Sequence, residues 1–63
     1  MPTIRVELFE GRTPEQKKDF AVAVTEVAAR TLGAKPESVD VIFVDVKKTE
    51  WATGGVFWSE RTQ

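Results

Sequence analysis

The chain has 63 residues and contains neither cysteine nor histidine. Disulfides are therefore excluded, as are ordinary zinc and haem sites, and we expect no cofactor and no metal. A chain this short buries only about 60% of its unfolded surface, so its own core is marginal. Small domains usually compensate with disulfides, metals or oligomerisation. Oligomerisation is the remaining route, and we predict a homo-oligomer.

The chain also lacks a basic run and a long apolar run. Nine basic and ten acidic residues are interspersed and give a net charge of −1, which argues against a nucleic acid partner. No apolar stretch approaches the ~20 residues of a membrane span, and Arg5, Glu7 and Glu10 interrupt the apolar N-terminal segment, unlike a signal peptide. We therefore expect one domain over residues 1–63, with a cytoplasmic location and no membrane partner.

Two patterns at the start of the chain predict a strand and a helix. Residues 2–9 alternate between apolar and polar side chains, which is typical of a strand. Thr13 followed by Pro14 and Gln16 predicts a helix N-terminus, and the helix should end at about Leu32, before Gly33. The predicted apolar stripe of the helix consists of Phe20, Val24, Val27, Ala28 and Leu32.

Residues 39–46 form a second predicted strand, apolar on nearly both faces, as in a strand covered on both sides. Strand, helix and strand with short links predict a right-handed βαβ unit with parallel strands. Gly54-Gly55 predicts a hairpin, and the aromatic residues around it indicate a subunit contact. The predicted fold class is α+β, a β-α-β unit followed by a short C-terminal β-hairpin.

Pro2 is the one plausible general base in this chain. If Met1 is removed, Pro2 carries a free secondary amine. Such an amine has a pKa of ~8 in water, and an apolar pocket with a cation nearby lowers this pKa. A neutral amine near pH 7 can shuttle protons. The alternative is that Pro2 only protects the terminus.

Three other side chains have both a functional and a structural interpretation. Arg12 follows the turn at Gly11 and either binds a carboxylate bidentately or is a solvated loop residue. Trp51 either walls an apolar pocket or fills a subunit interface. Arg5 is expected to form an ion pair with Glu7 or another acidic neighbour.

Together these motifs resemble the 4-oxalocrotonate tautomerase (2-hydroxymuconate tautomerase) family. The resemblance covers almost the whole chain and rests on Pro2 after Met1, on residues 9–17 (FEGRTPEQK), on Ser38-Val39, and on Trp51 followed by Gly54-Gly55. It implies an isomerase whose dimers form four-stranded sheets and assemble, three together, into a hexamer.

The resemblance also implies roles for individual residues. Pro2 would move a proton between the enol oxygen and a carbon of a 2-hydroxydienoate, such as the 2-hydroxymuconate of aromatic catabolism, or of a 2-oxo acid. Arg12 would bind the substrate carboxylate remote from the enol. The backbone N–H of Phe9 would donate to a substrate oxygen, and Trp51 would keep the pocket apolar.

Asp40 departs from the family pattern, which has an arginine here that acts on the substrate from a neighbouring subunit. A carboxylate repels a dianionic substrate, so we expect weak activity on dicarboxylates. Three interpretations of Asp40 stay open: a paired surface carboxylate, a base that activates water, and a group that recognises a substrate hydroxyl or amine. The alternatives to a tautomerase are a hydratase or dehalogenase-like enzyme using Asp40, and a non-catalytic hexameric module.

Overall fold

The computed structural model describes residues 2–61. The regular elements in chain order are strand β1 (Thr3–Phe9), helix α1 (Pro14–Leu32), strand β2 (Asp40–Val46), strand β3 (Ala52–Thr53) and strand β4 (Val56–Phe57). Single 3-10 turns cover Pro36–Ser38, Lys48–Glu50 and Trp58–Glu60.

The sheet has the predicted topology. Strands β1 and β2 pair in parallel, from Thr3 opposite Asp40 to Phe9 opposite Val46, and β3 pairs with β4 in an antiparallel hairpin. The β-α-β fold with a C-terminal hairpin is thus confirmed. A single 3-10 turn, Lys48–Glu50, links β2 to the hairpin.

Helix α1 begins and ends where the sequence predicts. Thr13 and Gln16 form a reciprocal capping box: the backbone N–H of Gln16 donates to Thr13 Oγ1 at 3.1 Å, and that of Thr13 donates to Gln16 Oε1 at 2.9 Å. Gly33 ends the helix with φ +71°, a conformation that glycine adopts without a Cβ clash. The capping box fixes the chain direction immediately after Arg12.

The predicted apolar stripe of α1 is only partly covered. Ala28 is buried, with 5% of its surface exposed, and Val24 is half-buried, whereas Phe20, Val27 and Leu32 are 47%, 46% and 68% exposed. Within a single chain β2 is not covered on both sides, because Ile42 is 45% exposed. The single helix and the two-stranded sheet are each too narrow to cover the apolar surface of the other.

The isolated chain is more extended than a globular protein of its size. Its solvent-accessible surface is 4984 Å², against about 4100 Å² expected for this mass. Its radius of gyration is 14.8 Å, against about 11 Å for a compact chain of this length. Ala28 is the one buried apolar residue within 2–61, so the chain leaves much apolar surface for partners. In the described part, no helix is both long and apolar enough to cross a membrane.

Replacing Thr13 with alanine should destabilise the protein by about 1 kcal/mol, because the N-cap side chain satisfies a helical N–H that otherwise has no partner. The measurement is urea unfolding at a fixed protein concentration. Thr49→Ala is the matched control, since no described side-chain hydrogen bond involves the exposed Thr49. Equal midpoints for the two variants would contradict this role of the capping box.

Candidate active site

Pro2 and Asp40 lie side by side at the start of the two parallel strands. The backbone N–H of Asp40 donates to the carbonyl oxygen of Pro2 at 3.0 Å, and Thr3 is opposite Asp40 in the ladder. Pro2 is half-buried and Asp40 is exposed. The sheet therefore places Pro2, the predicted base, and the carboxylate of Asp40 at the same end of the strands. We call these two residues the proline end.

Aromatic rings cluster at the opposite end of the sheet. The ring of Phe9, the last residue of β1, meets Trp51 edge-on at 4.7 Å between centroids and Trp58 at 5.6 Å. Lys48 places its Nζ 5.6 Å from the centroid of the Phe9 ring. Phe9 and Trp51, together with Arg12, which follows Phe9 by three residues in the chain, are called the aromatic end below.

The hairpin is held against this cluster by Trp58 and Arg61. The backbone N–H of Trp58 donates to the carbonyl of Trp51 at 2.9 Å, and its indole Nε1 donates to Thr53 Oγ1 at 2.9 Å. Arg61 donates from Nη2 to the carbonyl of Thr53 at 2.8 Å, and its guanidinium lies 4.4 Å from the Trp58 ring. Gly54 and Gly55 have φ +62° and +82°, as a two-residue hairpin turn with both residues left-handed requires.

These contacts revise the sequence interpretation of the C-terminal segment. The aromatic residues around the hairpin, interpreted from the sequence as a subunit contact, include Trp58, which orders the hairpin of its own chain and so fixes the backbone of Trp51. Arg61 and Lys48 were not singled out, because no local pattern marks a cation that stacks on a ring distant in sequence. Phe57 is 41% exposed and Val56 43%, so the outer side of the hairpin remains free in one chain.

Arg12 follows the turn that ends β1. Gly11 has φ +118°, which a side chain disfavours, and the turn leads the chain into α1. Arg12 is exposed and lines an open cavity of about 300 Å³ between the helix and the sheet. The other lining residues are Val6, Leu8, Gln16, Lys17, Phe20 and Phe43.

The cavity combines an apolar floor with two cationic groups at its rim. Phe20 and Phe43 meet edge-on at 6.1 Å between centroids. Lys17 is neutralised by Asp45, with Nζ 2.9 Å from Oδ1, whereas none of the ion pairs found within 2–61 involves Arg12. Arg12 is thus the rim cation that has no described carboxylate partner.

The structure does not bring the two ends together within one chain. Seven residue steps separate Pro2 from Phe9, and at about 3.3 Å per step the two ends are about 23 Å apart. No arginine side chain covers that distance. Pro2 and Asp40 therefore adjoin each other, Phe9 and Trp51 touch each other, and Arg12 lies beyond Phe9, far from the Pro2 of its own chain.

The fold and these sequence features match one family of known proteins. A family model described as tautomerase enzyme matches residues 2–61. A probable tautomerase of Listeria monocytogenes is 45% identical over 56 residues, which cover 89% of this chain and 92% of the relative. The chain therefore belongs to the tautomerase family, and it is an isomerase.

Solved structures agree with this assignment. A 4-oxalocrotonate tautomerase homologue is 41% identical, with a TM-score of 0.89 and complete coverage of both chains. A heterohexamer 4-oxalocrotonate tautomerase from Chloroflexus aurantiacus is 33% identical, with a TM-score of 0.90 over 95% of this chain and 97% of that one. The predicted family resemblance is thereby confirmed.

Proposed function

We propose that this protein is a keto–enol tautomerase for 2-hydroxydienoates or 2-oxo acids, with the amine of Pro2 as its base after removal of Met1. The observation that carries the proposal is the division of the site into a proline end and an aromatic end. Each end alone lacks half of the required chemistry: the proline end has a base but no cation, and the aromatic end has a cation but no base.

We further propose that the working site forms between chains, from the proline end of one and the aromatic end of another. Because β1 separates the two ends by about 23 Å, Arg12 must come from a different chain than Pro2. Association of chains would also bury apolar side chains, since Phe20, Ile42 and Phe57 are more than 40% exposed in the single chain. The relative from Chloroflexus is a heterohexamer, and we propose a hexamer of identical chains here.

In this site Pro2 transfers a single proton. The neutral amine takes the proton from the enol hydroxyl of the substrate, and the resulting ammonium returns it to a carbon of the same molecule, so the amine ends each cycle neutral. Arg12 holds a carboxylate through the two parallel hydrogen bonds that a guanidinium offers. An apolar wall formed by Trp51 favours the neutral form of the amine, because charged groups are disfavoured in apolar surroundings.

The backbone N–H of Phe9 is available for a substrate oxygen. Pro2 and Glu10 direct their backbone groups towards β2, since the carbonyl of Pro2 accepts from Asp40 N–H and the N–H of Glu10 donates to Val46 at 3.1 Å. The backbone N–H and C=O groups of successive residues point to opposite edges of a strand. Phe9, which precedes Glu10, therefore directs its N–H away from β2. A donor there stabilises negative charge that develops on the enol oxygen.

Asp40 sets the preference for substrates in this proposal. It is exposed and adjoins the Pro2 backbone, where a second substrate carboxylate would meet a like charge. We therefore propose that monocarboxylates such as aryl pyruvate enols are better substrates than dicarboxylates such as 2-hydroxymuconate. The same position supports a second candidate, in which Asp40 activates water and protonated Pro2 acts as an acid in hydration or dehalogenation of an unsaturated acid.

Pro2→Ala should lower the rate of phenylpyruvate enol ketonisation by at least about 100-fold, because the base contributes on that order. The measurement uses protein whose intact mass shows Met1 removed. Material that retains Met1 should be equally inactive, since its Pro2 nitrogen is an amide without basicity. Pro14→Ala, at the first turn of α1, is the control. An unchanged rate in Pro2→Ala would exclude Pro2 as the base.

Asp40→Arg should lower KM for 2-hydroxymuconate by about ten-fold or more relative to KM for phenylpyruvate enol, because a repulsive charge becomes attractive. Asp19→Arg on the exposed side of α1 makes the same change in net charge and serves as the control.

Halide release from a 3-haloacrylate that disappears in Asp40→Arg would instead favour the water-activating role. The tautomerase proposal with Asp40 as a repulsive group predicts no halide release.

A further inference from the structure

One ion pair of this chain joins elements that are distant in sequence. Two ion pairs are found within residues 2–61. The first confirms the prediction for Arg5, whose Nε lies 3.2 Å from Glu7 Oε2 on the same strand. The second links α1 to β2, since Lys17 Nζ lies 2.9 Å from Asp45 Oδ1 and 3.0 Å from Oδ2. This second contact, called the Lys17–Asp45 pair below, holds the helix against the sheet.

The Lys17–Asp45 pair lies at the cavity between the helix and the sheet. Lys17 lines this cavity of about 300 Å³ together with Arg12. Asp45 is opposite Leu8, which also lines the cavity, in the parallel ladder of β1 and β2. Asp45 therefore holds its carboxylate against one of the two cationic groups at the rim.

Asp45 sets the net charge of this rim. Arg12 and Lys17 each contribute one positive charge, and Asp45 contributes one negative charge in direct contact with Lys17. The rim is left with a single net positive charge. Within residues 2–61 no carboxylate is found paired with Arg12, so its guanidinium is the group that stays available for an anion. One available cation matches one carboxylate.

The Lys17–Asp45 pair contributes more to anion binding than to stability. Its side chains are 26% and 44% exposed, and water and salt screen ion pairs that are exposed to solvent. A unit charge ~8 Å from a bound carboxylate, at an effective dielectric constant of ~40, changes the affinity for that carboxylate about five-fold. A change of charge at Asp45 is therefore expected to alter anion binding measurably.

We propose that Asp45 is a specificity-determining residue, which neutralises Lys17 and so limits the rim to one carboxylate, held by Arg12. The nature of the natural ligand rests on the proposed function, whereas the charge relation applies to any small carboxylate that Arg12 holds. Asp40 repels a second carboxylate at the proline end, and Asp45 withholds a second cation at the cavity. Both residues thus favour monocarboxylates over dicarboxylates.

Three variants separate a charge role of the pair from a structural one. The probes are adipate and hexanoate, which have the same carbon chain and two or one carboxylates, and NMR titration at fixed ionic strength measures their Kd values. Asp45→Asn frees the cation and should raise the preference for adipate over hexanoate about five-fold. Lys17→Met leaves Asp45 unpaired and should lower that preference about five-fold. The double variant K17M/D45N has the net charge of the wild type and should restore its preference.

A purely structural role makes a different prediction, because the double variant also lacks the contact between helix and sheet. A preference that is unchanged in Asp45→Asn, or that the double variant does not restore, would overturn the proposal. Asp45→Asn and the double variant suffice for this decision if Lys17→Met alone does not fold. Asp19→Asn, on the exposed side of α1, makes the same change in net charge as Asp45→Asn and should bind both probes as the wild type does.

Titrations in the Pro2→Ala background keep this test independent of catalysis. The expected preferences, found in a protein without Pro2-dependent ketonisation, would refute the proposed function and leave the role of Asp45 standing. In active protein, Asp45→Asn should lower KM for 2-hydroxymuconate about five-fold relative to KM for phenylpyruvate enol, with little change in kcat. Equal changes in KM for both substrates, with ketonisation still dependent on Pro2, would refute the role of Asp45 alone.

Discussion

The length of strand β1 is the constraint on which the rest of this structure depends. Its seven residues fix the separation between Pro2 and the Phe9–Arg12 turn at a distance no side chain bridges. A chain with this strand cannot bring the amine proposed as the base next to the arginine proposed to bind the substrate. In our account chemistry and assembly are therefore coupled, because the base and the carboxylate-binding cation meet only where two chains do.

The packing of the single chain also favours association with other chains. One helix on two strands leaves Phe20, Ile42 and Phe57 substantially exposed. Because the chain has no cysteine, disulfides cannot compensate for this small core. The internal order it does have is concentrated at the hairpin, where Arg61 and Trp58 hold the backbone beside Trp51. The chain thus presents a preformed aromatic wall, with Lys48 adding a positive charge above Phe9.

Local sequence signals predicted most of the fold. Thr13, Gln16 and Gly33 specify the ends of α1 through hydrogen bonds between near neighbours, and the alternation in residues 2–9 specifies β1. The coverage of Phe20 and Ile42 was not predictable, because burial depends on what surrounds the chain. Arg61 and Lys48 act on rings far from them in sequence, so no spacing reveals them. The resemblance supplied roles for Pro2 and Arg12, but their distance in one chain emerges only from the strand.

The most direct test of the central claim is complementation between inactive chains. Pro2→Ala and Arg12→Ala are each prepared with Met1 removed, unfolded together and refolded as an equimolar mixture. If each site takes Pro2 from one chain and Arg12 from another, random assortment leaves about a quarter of the sites intact. Ketonisation should then recover to about that fraction of the wild-type rate. Activity no higher than the sum of the separate variants would contradict a site shared between chains.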